Sequence, residues 1–239
     1  MPVRPWTVTP HGPIEKLDDG IWSLESPIPG IPGRGFLRRM TIVRRADGTL
    51  MFFNAVPMDD PTLAQLKALG PFSALVVPAP THAMDAPAFR DKLGVRVYAP
   101  ADSLGALRSR DVPIDAPLEE LPPDARVRTI KLDGLSTGEH VVTITDGSRV
   151  TVLLCDQVLN VPHGPGFWGL AWRLMGLTGG PRIGPFWRKK FVADEAVYRR
   201  SFEALADLPG LARVVPSHGP VIDRDPGQVL RTVVKKLKR

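Results

Sequence analysis

The stretch ALVVPAPTHAMDA, residues 74–86, decides how the chain is read. Its first four residues form an unbroken apolar run, the pattern of a short strand buried on both faces. A proline-punctuated turn follows, carrying His82 and Asp85, and the spacing then predicts a helix over 86–93. Polar residues in the loop just past a buried α/β strand lie where sites form in such folds. Two further stretches repeat the arrangement. VTVLLCDQVLN (150–160) puts Asp156 at the end of an apolar strand, and VVPSHGP (214–220) puts His218 after a short one. Three strand ends thus offer two imidazoles and a carboxylate. Three protein ligands plus a water is the usual arrangement of catalytic zinc.

Working outward, the segments 36–44 and 50–56 are β-like and flank Ala46-Asp47-Gly48, a hairpin signal. Asp60 before Pro61 predicts a helix start, with Leu63, Leu66 and Leu69 on one face and Gly70 as the stop. A strand over 95–98 and a short helix over 102–107 continue a β-α-β-α rhythm. The proline-rich, acidic stretch 115–125 reads as a connection. Strands are expected over 127–132, 141–145 and 149–154, the last two joined by Asp146-Gly147. Helices are expected over 194–208 and 228–238. Both halves place strands first and a β-α unit after. That predicts an α/β (α+β) protein, two sheets packed together with helices outside, in one domain spanning 1–239.

The composition agrees with a folded, ordinary domain. In 239 residues, 43% are hydrophobic and 23% charged, which excludes a fibre or a chain disordered throughout. No apolar run reaches bilayer length. The N-terminal residues lack the apolar core of a signal peptide, so none is expected. The lone cysteine, Cys155, excludes an intramolecular disulfide and an all-cysteine metal site. A reducing cytoplasm is the expected compartment. Strand alternation turns Cys155 away from Asp156, as a small core residue.

The net charge of +6 is local. The last ten residues carry Arg231, Lys235, Lys236, Lys238 and Arg239 without an acid. This basic C-terminal helix, about 228–239, has cations that complement its dipole. The stretch 157–193 carries Arg173, Arg182, Arg188, Lys189 and Lys190, again without an acid. No zinc-finger spacing, RNA-binding motif or basic zipper accompanies them, so nucleic acid is not an expected partner. The basic stretch includes an aromatic insert, about 161–190. Phe167, Leu170 and Leu174 fall on one helical stripe with Trp168, Trp172 and Met175 beside it. The readings are a helical hairpin packed on the core, a lid shaping an anionic ligand pocket through Trp168, Trp172 and Arg188, or a dimer surface. A membrane surface is the less expected partner.

The order of elements and the strings above resemble the metallo-β-lactamase superfamily from about residue 20 to 223. GLSTGEHVV is similar to its Gly-His-x-Pro-Gly turn, CDQ to its metal-bridging strand end, and SHGP to its final Gly-His-Gly. MTIVRRADGTLMFFNAVP, the helix ending LGP and the later His82 resemble one bacterial branch, a domain of unknown function. The resemblance implies a four-layer αββα sandwich. It also exposes departures. The expected His-x-His-x-Asp-His becomes His82-Ala83-Met84-Asp85-Ala86-Pro87, and Leu135 takes the histidine position of the turn. His82, Asp156 and His218 remain as metal ligands, with Asp85 beside them as ligand or base and Asp156 as a second catalytic carboxylate. Such a set supports at most a mononuclear site. Two functions follow: a metal-dependent hydrolase using one zinc, iron or manganese ion on a small molecule, or an inactive protein, without metal, that binds an anionic small molecule or a protein partner.

Overall fold

Asp47 and Gly48 turn the chain between two strands as their sequence predicts. Asp47 Oδ1 accepts from the Thr49 amide at 2.9 Å and the Thr49 hydroxyl at 2.7 Å, and Gly48 takes a φ of +84°. In the computed structural model, residues 4–32, 36–235 and 237 are described. The chain divides into two compact units, residues 1–29 with 38–129, and residues 30–37 with 130–239.

The first unit runs β1 (Glu15–Asp18), β2 (Ile21–Pro27), β3 (Leu37–Arg44), β4 (Leu50–Phe53), α1 (Asp60–Leu69), β5 (Phe72–Val76), α2 (Ala86–Leu93), β6 (Arg96–Ala99), α3 (Leu104–Arg108) and β7 (Ala116–Pro117). Its strands lie side by side in chain order in one seven-stranded sheet. The hairpins β1–β2 and β3–β4 are antiparallel, whereas β4 through β7 are parallel. The run 74–77 is fully buried, as its composition predicts. α2 spans the predicted residues, with a proline in its first turn and Gly94 closing it at a φ of +66°. α1 starts as expected but is capped one residue early. Asp59, in extended conformation, accepts from the Thr62 amide at 2.9 Å, while Asp60 is already helical. Phe52 anchors the core, edge-on to Phe72 and Phe89 at 5.1 and 5.6 Å.

The second unit carries β8 (Val127–Lys131, starting where the first unit ends), β9 (His140–Asp146), β10 (Arg149–Leu154), α4 (Gly166–Leu174), α5 (Pro185–Phe191), α6 (Glu195–Ala206), β11 (Leu211–Pro216) and α7 (Pro226–Val234). Its sheet has the order β11-β10-β9-β8. β9 and β10 are antiparallel through the Asp146-Gly147 turn, and β10 and β11 are parallel. Parallel neighbours need a long crossover; α4, α5 and α6 supply it. α6 and α7 pack together, with Tyr198, Phe202 and Leu230 fully buried beneath them. Gly134 lets the chain before β9 close on the first turn of α6. At a φ of +85°, a Cβ there would stand 2.4 Å from the Tyr198 amide nitrogen. α7 begins earlier than expected and ends at Val234; Lys236, Lys238 and Arg239 lie outside the described residues.

The aromatic insert forms two short helices, but the predicted stripe does not pack inward. Phe167, Leu170 and Leu174 are exposed, and the buried residue of α4 is Gly169. A Cβ on Gly169 would meet the Gly164 carbonyl oxygen at 1.9 Å. The helix thus rests on the chain through its glycine and turns its apolar side out. Among the described residues, no helix is long and apolar enough to cross a membrane.

Candidate metal centre

Because β10 and β11 are parallel, their carboxyl ends leave the sheet at the same edge, and the loops after them meet. The two loops are knitted by backbone. The Ser217 amide and hydroxyl both donate to the Leu154 carbonyl, at 2.9 and 3.1 Å. The Asn160 amide donates to the His218 carbonyl at 3.0 Å, and the Asn160 side chain donates to the Pro220 carbonyl at 2.8 Å. Gly219 permits the approach. Its φ is +93°, and a Cβ would lie 2.1 Å from the Asn160 carbonyl oxygen.

This stitching brings Asp156 Oδ1 to 3.1 Å from His218 Nε2. On its other side, His218 Nδ1 lies 2.7 Å from the Leu37 carbonyl oxygen. A carbonyl only accepts, so Nδ1 carries a hydrogen, and Nε2 is the ring atom that faces the carboxylate. A proton on Nε2 or a metal ion between the two atoms would join them. A backbone carbonyl that fixes the tautomer and leaves Nε2 for the ion is also how metal-ligating histidines are held. The pair therefore fits a metal ion.

Behind Asp156 lies a group the sequence did not single out. The Cys155 amide donates to Gln157 Oε1 at 2.6 Å, and Gln157 Nε2 donates to Glu139 Oε2 at 2.6 Å. This chain clamps the turn that carries Asp156. Glu139 is buried. Burial holds its carboxyl well above the usual range, the charge of Asp156 adds to this, and the Thr137 and Trp187 side chains offset it in part. Burial likewise pushes up the Cys155 thiol, with the Asp156 and Glu139 charges adding to it. Cys155 is thus the inert core residue its strand position predicts. The one sequence signal for Glu139 is an acid placed at the head of an apolar strand.

The other candidates fall as follows. His82 ends a 3-10 turn (Pro80–His82) after β5 and is half-buried. Asp85 precedes α2, and its Oδ2 accepts from Arg38 Nη1, both groups buried. Leu135 bridges to Val192, so the histidine position of the superfamily's turn is a packing position. His140 starts β9 and is buried. His163 Nδ1 lies 2.9 Å from the Thr178 hydroxyl, a loop contact. Arg188 is paired through Nε and Nη2 with Glu195, at 2.8 and 2.6 Å. Trp168 and Trp172 stack on each other at 5.8 Å, and Phe36 bridges them to the site. Its ring lies 6.0 Å from Trp172 and 5.1 Å from His218. An aromatic wall therefore runs from the candidate ligand to the exposed Phe167, itself 5.2 Å from Trp168.

No family profile matches the chain, and no curated protein sequence does. Solved structures do. The mono-zinc form of the metallo-β-lactamase FIM-1 from Pseudomonas aeruginosa superposes with a TM-score of 0.64 over 96% of each chain, at 17% identity. A metallo-β-lactamase from Erythrobacter litoralis, with β-mercaptoethanol in its active site, gives a TM-score of 0.66 over 94% of this chain and 96% of that one, at 14% identity. One from Pontibacter korlensis gives 0.60 over 93% and 98%, also at 14% identity. The two mixed sheets flanked by helices, as the strand order predicts, are the metallo-β-lactamase fold.

Proposed function

We propose that the chain is a metal-dependent hydrolase with a single-ion site. Asp156 and His218, both of the second unit, are the donors we assign, an imidazole beside a carboxylate; His82 is the third ligand expected from the sequence. The observation that carries the proposal is the Asp156–His218 pair, carboxylate oxygen and Nε2 side by side with His218 anchored at its far nitrogen. Zinc is the first ion to test, since FIM-1 shares the fold and has a mono-zinc form; iron and manganese are the others. A bound ion would supply an activated water and polarise an ester, amide or phosphate. The chain's own residues do the rest. The Leu37 carbonyl fixes the His218 tautomer, and the Gln157–Glu139 clamp fixes the turn of Asp156. Asp156 is the proton acceptor we assign. Asp85 neutralises Arg38 and is assigned a structural role. Phe36, Trp172 and Trp168 would receive the apolar part of a small-molecule substrate, since Arg188 is taken up by Glu195. The narrower placement, in the bacterial branch of unknown function, belongs to the same proposal.

The packed Leu135 favours a second reading. With the superfamily's ligand set so reduced, the same residues would serve a protein without catalysis that holds an anionic small molecule or a protein partner. Elemental mass spectrometry on protein purified without a His tag or chelator separates the two, with His218→Ala beside it. Near-stoichiometric metal that disappears in the variant, followed by turnover in an esterase and phosphodiesterase screen, supports the hydrolase. No metal in either protein, even after soaking with zinc, iron and manganese, overturns it in favour of the binder.

A further inference from the structure

We propose that α4 and the start of α5 seat the protein on an anionic lipid surface. Large exposed apolar side chains are concentrated here. Phe167 is 75% exposed, Leu170 56%, Leu174 79%, Met175 57% and Phe186 70%. At 3.6 residues per turn, Phe167, Leu170, Leu174, Met175 and Trp168 span an arc of about 160° on α4. The buried Gly169 faces the other way. Phe186 belongs to the same patch, because the end of α4 abuts the first turn of α5. A Cβ on Gly176 would come within 2.8 Å of the Pro185 ring.

Charge selects the occupant. Residues 157–193 contain no acid, and Arg173, Lys189 and Lys190 are exposed. Lys190 Nζ lies 5.7 Å from the Phe186 ring centre and 5.0 Å from that of Phe191, so the cation borders the apolar groups. Aromatic and aliphatic side chains fringed by cations suit the boundary between acyl chains and anionic headgroups. A second copy of the chain fits less well, since a two-fold contact would lay the same cations against one another. The patch contains none of the metal donors, although Trp168 and Phe167 also end the aromatic wall that runs to His218, and seating on lipid needs no ion at the site.

The test is co-sedimentation of the full chain with phosphatidylglycerol–phosphatidylcholine vesicles and with phosphatidylcholine alone, at low and physiological salt. We expect binding to the anionic vesicles that weakens with salt. Phe167→Ser with Leu174→Ser should reduce it at least tenfold. Lys189→Glu with Lys190→Glu should reduce it by about fivefold or more per cation. These positions are exposed, so circular dichroism should show both variants folded. His218→Ala should bind as the wild type does, whatever its metal content. No binding to anionic vesicles at low salt overturns the proposal. So does self-association abolished by the Phe167/Leu174 pair without vesicle binding, which would identify a second copy as the occupant. Binding unchanged in both surface variants overturns it as well.

Discussion

Replacing Glu139 by glutamine removes a proton-binding group from the second unit while keeping its shape and its acceptor for Gln157. In the unfolded chain this carboxyl titrates near the ordinary value, about 4.3. In the folded chain, burial and the neighbouring Asp156 charge keep it protonated to higher pH. Between those two points the folded state holds one more proton than the unfolded state. Stability from this group is therefore full below the ordinary carboxyl value and is lost as pH rises toward the raised one. The slope is about 1.4 kcal/mol per pH unit. Between the ordinary carboxyl value and the raised one, the wild type should lose stability steadily relative to Glu139→Gln as pH rises. Urea unfolding of both proteins across that range, with equal m values as the check on two-state behaviour, measures the difference directly. Parallel stability curves would refute the reasoning, because they would mean that Glu139 ionises alike in both states.

Arg38→Met should cost about 3–5 kcal/mol by leaving Asp85 buried without its counter-ion, and adding Asp85→Leu should recover most of that loss in denaturant unfolding. Gly219→Ala places a methyl against the Asn160 carbonyl oxygen in a left-handed backbone. It should cost about 2 kcal/mol or more and shift the His218 ring resonances in NMR as the two loops part. Phe202→Ala opens a cavity among fully buried side chains and should lower stability by about 3–5 kcal/mol in the same unfolding assay.

Local chemistry explains which parts of the fold were legible in the sequence. α2 was readable to the residue, since proline opens it and a left-handed glycine closes it. The turns at Gly48 and Gly147 were readable for the same kind of reason. Asp156 and His218 could be paired because each follows a short apolar strand, and parallel strands deliver their ends to one edge. Three features were not legible. Glu139 reads locally as part of a polar turn, and only the arrival of Gln157 and Trp187 from distant segments makes it a buried acid. Asp85 reads as a candidate beside His82, and its ion pair with Arg38, far back in the chain, has no local signal. The stripe on α4 has the periodicity of a buried face, yet a glycine contact decides which side of the helix meets the protein. Periodicity reports that apolar residues share a face and is silent on what covers it.

The parallel pairing of β10 and β11 also bears on how the chain can vary. Asp156 and His218 are each set by the strand just before them and by the loop-to-loop bonds around Asn160. α5 lends Trp187 to the Glu139 group behind Asp156, but the excursion through α4 supplies none of these bonds. Closing a longer or shorter excursion costs only about 0.6 kcal/mol per doubling of its length. That span can therefore gain, lose or exchange segments while the two donors keep their separation. A recognition surface carried there can diverge quickly on an unchanged chemical centre.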